Sequence, residues 1–214
     1  MAISDLFSRR RKDETESSDA GRDSGIVLPT KALPKFLSAL SSRDQPVLLD
    51  LGPVVGDNLT FFGEQLGCKI FVEDVIKDLE RHSRDGTLDA LAGFFKTRFP
   101  QADDSFDGIL CWDVCDYLEK PAAQALAAQM GRLLKPDGVL LAFFNATEPK
   151  PNWPVAYTKH IVIDPATLKH RPYPASRGKQ RPLLNRDIVR MFEPLRVWEQ
   201  FLLKTNQREV LFRK

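Results

Sequence analysis

Short continuous apolar runs, each closed by an acid or a polar turn, alternate along this chain with stretches in which apolar residues return every three or four positions. Residues 47–49 run into Asp50, residues 68–72 into Glu73 and Asp74, residues 106–111 into Trp112 and Asp113, and residues 139–144 into Asn145. Runs of that length and composition predict strands buried on both faces of a parallel sheet. Between them, Leu33, Phe36, Leu37 and Leu40 share one helical face, as do Leu59, Phe61, Phe62 and Leu66 before Gly67. Residues 75–84 and 88–95 read as two more helices, and Pro121 opens one that buries Ala125, Leu126, Met130 and Leu133. The pattern predicts an α/β fold, a doubly wound and mostly parallel sheet. It has six or seven strands, because the helix at 88–95 leaves little room for another before Phe106. Residues 195–203 and 207–212, about a turn at Thr205 and Asn206, predict an antiparallel C-terminal hairpin with Val210 and Phe212 inward.

The chemistry concentrates after the first of these runs. Gly52 and Gly56 bracket a tight turn between strand and helix, where backbone amides at a helix start can approach a ligand. Glu73 and Asp74 close the next run about twenty residues on, where a carboxylate can accept both hydroxyls of a ribose; capping of the following helix is the alternative role.

Two further segments add specificity. Residues 105–118 open with Ser-Phe-Asp, and residues 133–138 read Leu-Leu-Lys-Pro-Asp-Gly before an apolar run. With Asp50, Gly52 and Gly56 closing the first strand and Glu73 the second, residues 30–145 resemble class I S-adenosylmethionine-dependent methyltransferases. The resemblance implies a Rossmann-like sheet, a last strand inserted antiparallel beside the fifth, and S-adenosylmethionine as cofactor. It implies cofactor contacts from Asp50, Gly52, Gly56, Glu73, Asp74, Phe95, Cys111 and Trp112, and places Asp113 and Tyr117 where a catalytic group would meet the acceptor. Two positions depart from the family pattern. Val54 stands where a middle glycine is usual, and Phe95 stands where an acid usually contacts the adenine amine; an aromatic there can stack on the ring instead.

Composition narrows the setting more than the reaction. With 43% hydrophobic and 28% charged residues and a formal net charge of +2, the 214-residue chain is ordinary for a globular protein. No transmembrane segment is expected, and a cytoplasmic location is. Three cysteines, Cys68, Cys111 and Cys115, suit buried positions in a reducing compartment, and no metal site is expected. Residues 1–24 should be a disordered polar tail ahead of one domain spanning 25–214. Ile3, Leu6 and Phe7 beside the basic run 9–12 offer a short membrane-surface contact. After Asn145 the prolines crowd in, predicting a flap over 146–184 inserted after the fifth strand, with a small hairpin, on the rim of the site. Between 149 and 181 it holds seven Lys or Arg against the single acid Asp164. Such an excess attracts an anionic small molecule or RNA as acceptor, with Trp153, Tyr157 and Tyr173 available for stacking. His160 and His170 read as surface or cross-strand residues. A non-catalytic protein of the same fold, binding a partner or nucleic acid through this flap, is the alternative reading.

Overall fold

The computed structural model describes residues 25–148 and 155–214; the tail 1–24, with the membrane-surface contact expected at 3–12, and Trp153 lie outside the described residues. The chain runs β1 (Ile26–Pro29), α1 (Ala32–Ser41), β2 (Val47–Asp50), α2 (Gly56–Leu59), β3 (Lys69–Val72), α3 (Val75–Arg84), α4 (Leu91–Phe95), β4 (Phe106–Trp112), α5 (Lys120–Leu133), β5 (Leu134–Asn145), β6 (Ala156–Asp164), β7 (Thr167–Pro174), α6 (Asn185–Met191), β8 (Arg196–Leu202) and β9 (Gln207–Arg213).

The principal sheet has the order β3-β2-β4-β5-β9-β8. Its first four strands are parallel, β9 runs antiparallel to β5, and β8 antiparallel to β9. Every residue of β4 is buried, as a central strand covered on both faces requires. Six strands form, not seven, because residues 88–95 are helical and no strand precedes β4 at that edge. The chain leaves β2 for β3 on one side and later returns to β4 on the other. A crevice therefore opens at the carboxyl ends of β2 and β4.

Helix α1 packs directly on β4: a Cβ on Gly108 would lie 2.7 Å from Leu40 Cδ2 and 3.0 Å from Phe36 Cζ. Its first turn has no acid of its own. The buried carboxylate of Glu209, carried across by β9, accepts from the backbone N–H groups of Lys31 and Ala32, both at 2.8 Å. Asn185 is the first residue of α6, whose N-cap is Leu184.

The expected small hairpin is present as β6 and β7, and it is longer than the apolar pattern indicates. It gains a third strand, since β1 pairs antiparallel with β7 from Ile26 opposite His170 to Pro29 opposite Thr167. Asn58 in α2 completes the free edge of β6: its amide nitrogen donates to His160 O at 2.9 Å and its oxygen accepts from Val162 N at 2.8 Å. The hairpin is thereby fastened to the helix that starts at the crevice.

Candidate functional site at the ends of β2 and β4

Asp50 ends β2 with its side chain turned over the following loop. One carboxylate oxygen accepts from Gly52 N at 2.9 Å and from the indole N–H of Trp112 at 2.7 Å. Burial raises this carboxyl to about 6 even against those two donors. Gly52 is required by contact, since a Cβ there would fall 2.9 Å from Trp112 Cδ1. Gly56, at the start of α2, has open space around it, and the Val54 side chain projects toward solvent, 58% exposed. Valine at the middle position therefore does not intrude on the turn.

Trp112, the last residue of β4, has φ of 51°, the left-handed region that a bulky residue occupies at a cost of about 1–3 kcal/mol. Its ring is held from two sides. Besides the bond to Asp50, it stacks nearly parallel on the His160 imidazole, with centroids 5.1 Å apart and planes at 11°.

His160 reaches this point from β6. Its Nε2 lies 2.9 Å from Asp113 Oδ1, while Nδ1 is buried without a partner. If Nε2 carries the proton it donates to Asp113 and leaves the Nδ1 lone pair free. The ammonium of Lys179, from the segment after β7, sits 2.7 Å from Asp113 Oδ2, 3.2 Å from Asp116 Oδ2 and 3.3 Å from Asn145 Oδ1. Burial alone would raise the Asp113 carboxyl, but Lys179 and His160 more than offset it and hold the group far below the usual carboxylate range. Asp116 accepts from Asn145 N at 2.8 Å, and burial, only partly opposed by Lys179, takes it up to about 6. It is a buried partner of the flap. Tyr117 donates to Ala156 O at 3.1 Å and lies 3.4 Å from Asp113 Oδ2; burial and the nearby Asp113 charge hold its phenol far above its ordinary value. Asp113 and Tyr117 are thus both engaged by neighbours from the flap, Asp113 by His160 and Lys179 and Tyr117 by Ala156 O.

The second acid site is arranged differently. Both Glu73 oxygens are engaged, one by Arg98 Nη1 at 2.8 Å and the other by Gln101 Nε2 at 2.9 Å. A cleft of about 380 Å³, lined by Glu73, Arg81, Arg84 and Arg98 among others, lies beside them. Asp74 accepts from Lys77 N at 3.0 Å and is the N-cap of α3. Two residues that the resemblance nominates do not reach the crevice. Phe95 is fully buried in the core on α4 and presents no face for stacking on adenine. Cys111 is equally buried, with its sulfur 3.8 Å from that of Cys115. Among the described residues no group of three potential metal ligands occurs.

The flap is less cationic in space than in sequence, because the body supplies counter-charges. Arg177 pairs with Glu119 and Lys179 with Asp113 and Asp116. Lys159 and Arg171 face one another across the hairpin, with the Lys159 ammonium over the Tyr173 ring. His160 and His170 are indeed cross-strand partners, but His160 is 4% exposed and belongs to the crevice, not the surface. Reasoning from sequence missed Asn58, His160 and Lys179 as parts of the site. His160 and Val162 share the inward parity of β6, which is a usable signal; Lys179 carries none.

Measured against the S-adenosylmethionine that the resemblance implies, the donor set fits in kind. Turn amides, the Asp50 carboxylate and the Glu73 carboxylate stand at adjacent strand ends. The space over Gly52, however, is filled by Trp112 with His160 behind it, and Glu73 is paired. The donors are nonetheless present, with Glu73 shared with Arg98 and Gln101 and with open space at Gly56.

No curated protein sequence matches the chain. Among solved structures, the Burkholderia thailandensis 1,6-didemethyltoxoflavin-N1-methyltransferase, with 1,6-didemethyltoxoflavin and S-adenosylhomocysteine bound, shares 14% identity at a TM-score of 0.49, covering 98% of this chain and 87% of its own. The CcbJ methyltransferase of Streptomyces caelestis shares 12% at 0.49, covering 84% and 87%. A SAM-dependent methyltransferase of Aquifex aeolicus shares 13% at 0.47, covering 94% and 96%. The model of the methyltransferase domain matches residues 28–174, from within β1 through β7 and so including the strands that shape the crevice: the chain belongs to the methyltransferase-domain family.

Proposed function

We propose that this protein is an S-adenosylmethionine-dependent methyltransferase that takes its cofactor in the crevice at the ends of β2 and β4, within a single domain spanning 25–214. The observation that supports it most directly is the strand-turn-helix unit from Asp50 to Gly56, set at the switch point of the sheet with an open approach at Gly56. The cofactor supplies a methyl group made electrophilic by its sulfonium. The chain's part is binding and alignment, which can supply most of the rate acceleration without a strong base. In this reading the turn amides and Asp50 hold the amino-acid end, and Glu73, shared with Arg98, holds the ribose. Asp113 fixes the His160 ring and leaves its Nδ1 buried without a partner, available as a proton acceptor when Nε2 carries the proton. Lys159 and Arg171 lie directly opposite each other with no acid partner among the described residues, an arrangement that favours an anionic acceptor.

Calorimetric titration with S-adenosylmethionine and S-adenosylhomocysteine, on the wild type, Gly52→Arg and Glu73→Ala, tests the reading. Micromolar binding weakened in both folded variants supports it, and an acceptor screen then begins with anionic small molecules and RNA. Absence of binding at millimolar ligand rejects it. The second reading, a non-catalytic member of the family, draws support from Trp112 lying against Gly52 and from the engaged Glu73, and it gains from that negative result.

A further inference from the structure

We propose that the β6–β7 hairpin and the strap that follows it form a lid over the crevice, locked shut by His160 and Lys179 on Asp113. The inference deepens the cofactor-site reading above and rests on it for the identity of the ligand.

Three observations converge. Of the three side chains that reach Asp113, the two shortest contacts come from the inserted segment, one from β6 and one from the strap, on different carboxylate oxygens at 2.9 and 2.7 Å; Tyr117 is the third, at 3.4 Å. All three groups are largely out of water, so withdrawing Lys179 leaves the buried Asp113 charge with no lysine or arginine beside it. The ring that the lid presses on, Trp112, is the side chain that fills the space over Gly52, and it does so from a left-handed backbone conformation. A residue held in that conformation by a stack from the lid is stored strain, released when the stack is removed. The strap is also tied to the body outside the crevice. Glu80 Oε1 accepts from both Ser176 N and Ser176 Oγ, and Ser176 Oγ lies 3.0 Å from Ser83 Oγ. Ligand entry and lock release are then one event, and apparent affinity is the intrinsic affinity reduced by the fraction of molecules with the lid open.

Two perturbations of the full chain test the lock, with S-adenosylhomocysteine as the probe. Lys179→Met removes one arm; the expected result is amide exchange over residues 156–174 accelerated tenfold or more, with affinity for the probe raised by a similar factor. Because that variant also strips a buried charge pair and can fail to fold, a second test uses Ser83→Cys with Ser176→Cys. The two hydroxyls are close enough for sulfurs in their place to bond after a small adjustment, and the native cysteines are all buried. Oxidation should then abolish probe binding, and reduction should restore it. Equal binding by the oxidised and reduced cross-link variant overturns the lid, as does unchanged exchange over 156–174 in a folded Lys179→Met protein. If no form binds the probe yet exchange in Lys179→Met rises as expected, the cofactor reading fails and the lid stands.

Discussion

Replacing Asp50 by asparagine should stabilise the protein above pH 6 and leave it nearly unchanged at pH 4. The carboxyl is buried at the end of β2, and both of its donors, Gly52 N and Trp112 Nε1, converge on the same oxygen. An asparagine carbonyl can accept both in place. What the substitution removes is the charge. The native carboxyl titrates at about 6 against an ordinary 3.8. The native state therefore keeps a proton between about pH 4 and pH 6 that the unfolded chain has released. A carboxyl raised in this sense costs stability progressively as pH rises through that window, at about 1.36 kcal/mol per unit, or about 3 kcal/mol once pH exceeds 6. The asparagine nitrogen replaces the second oxygen, which no donor reaches among the described residues, and a partly unsatisfied N–H takes back part of the gain. A net stabilisation of about 1–3 kcal/mol at pH 8 is expected. Urea unfolding of both proteins at pH 4, 6 and 8 measures it, because groups common to both cancel in the difference. A pH-independent difference, or a variant less stable at pH 8, would refute the argument that desolvation dominates this carboxyl.

Other expectations follow from single contacts. Glu209→Ala leaves the Lys31 and Ala32 amides without their acceptor and should lower stability by about 1–3 kcal/mol, seen as a drop in thermal midpoint. Gly108→Ala places a methyl 2.7 Å from Leu40 Cδ2 and should cost about 1–3 kcal/mol by overpacking α1 against β4, with the same readout. Asn58→Ala removes both side-chain bonds to the free edge of β6; the Val162 amide should then exchange markedly faster while amides in β4 keep their protection. By contrast, a double-mutant cycle on Arg98 and Glu73 should give a coupling under about 1 kcal/mol, since each side chain is 21% exposed to screening solvent. A larger coupling would indicate that Glu73 is held too firmly to be shared with a ribose.

The parts of the fold legible in the sequence are those whose physics is local. Strands wrote themselves as apolar runs, and β2, β4 and β5 lie buried where those runs are, whereas β3, expected to be buried on both faces, is half-buried because it forms the edge of the sheet. The C-terminal hairpin follows from alternation about an Asn turn. Strand β1 was not legible, because four residues ending in proline carry too little pattern, and its partner lies some 140 positions away in β7. The missing third strand was half legible: helical spacing at 88–95 excluded it, but the pairing of Arg98 and Gln101 with Glu73 is tertiary.

The candidate site shows the same division, with a consequence for its chemistry. Asp50, Gly52, Gly56 and Trp112 lie within one turn of their strands, and the structure has Asp50, Gly52 and Trp112 in mutual contact. Their protonation and accessibility are set elsewhere. Asp113 stays ionised because of Lys179, 66 positions on, and Trp112 stays over Gly52 with the support of His160, 48 positions on. Both long-range partners belong to the inserted segment, the part of the chain in which composition suggested a cationic surface awaiting an anion. Two of its cations already have theirs inside the protein. On the proposed lid, the insertion sets the charge and access of the crevice before it recruits anything to it, so the acceptor screen should include the Lys179→Met protein beside the wild type.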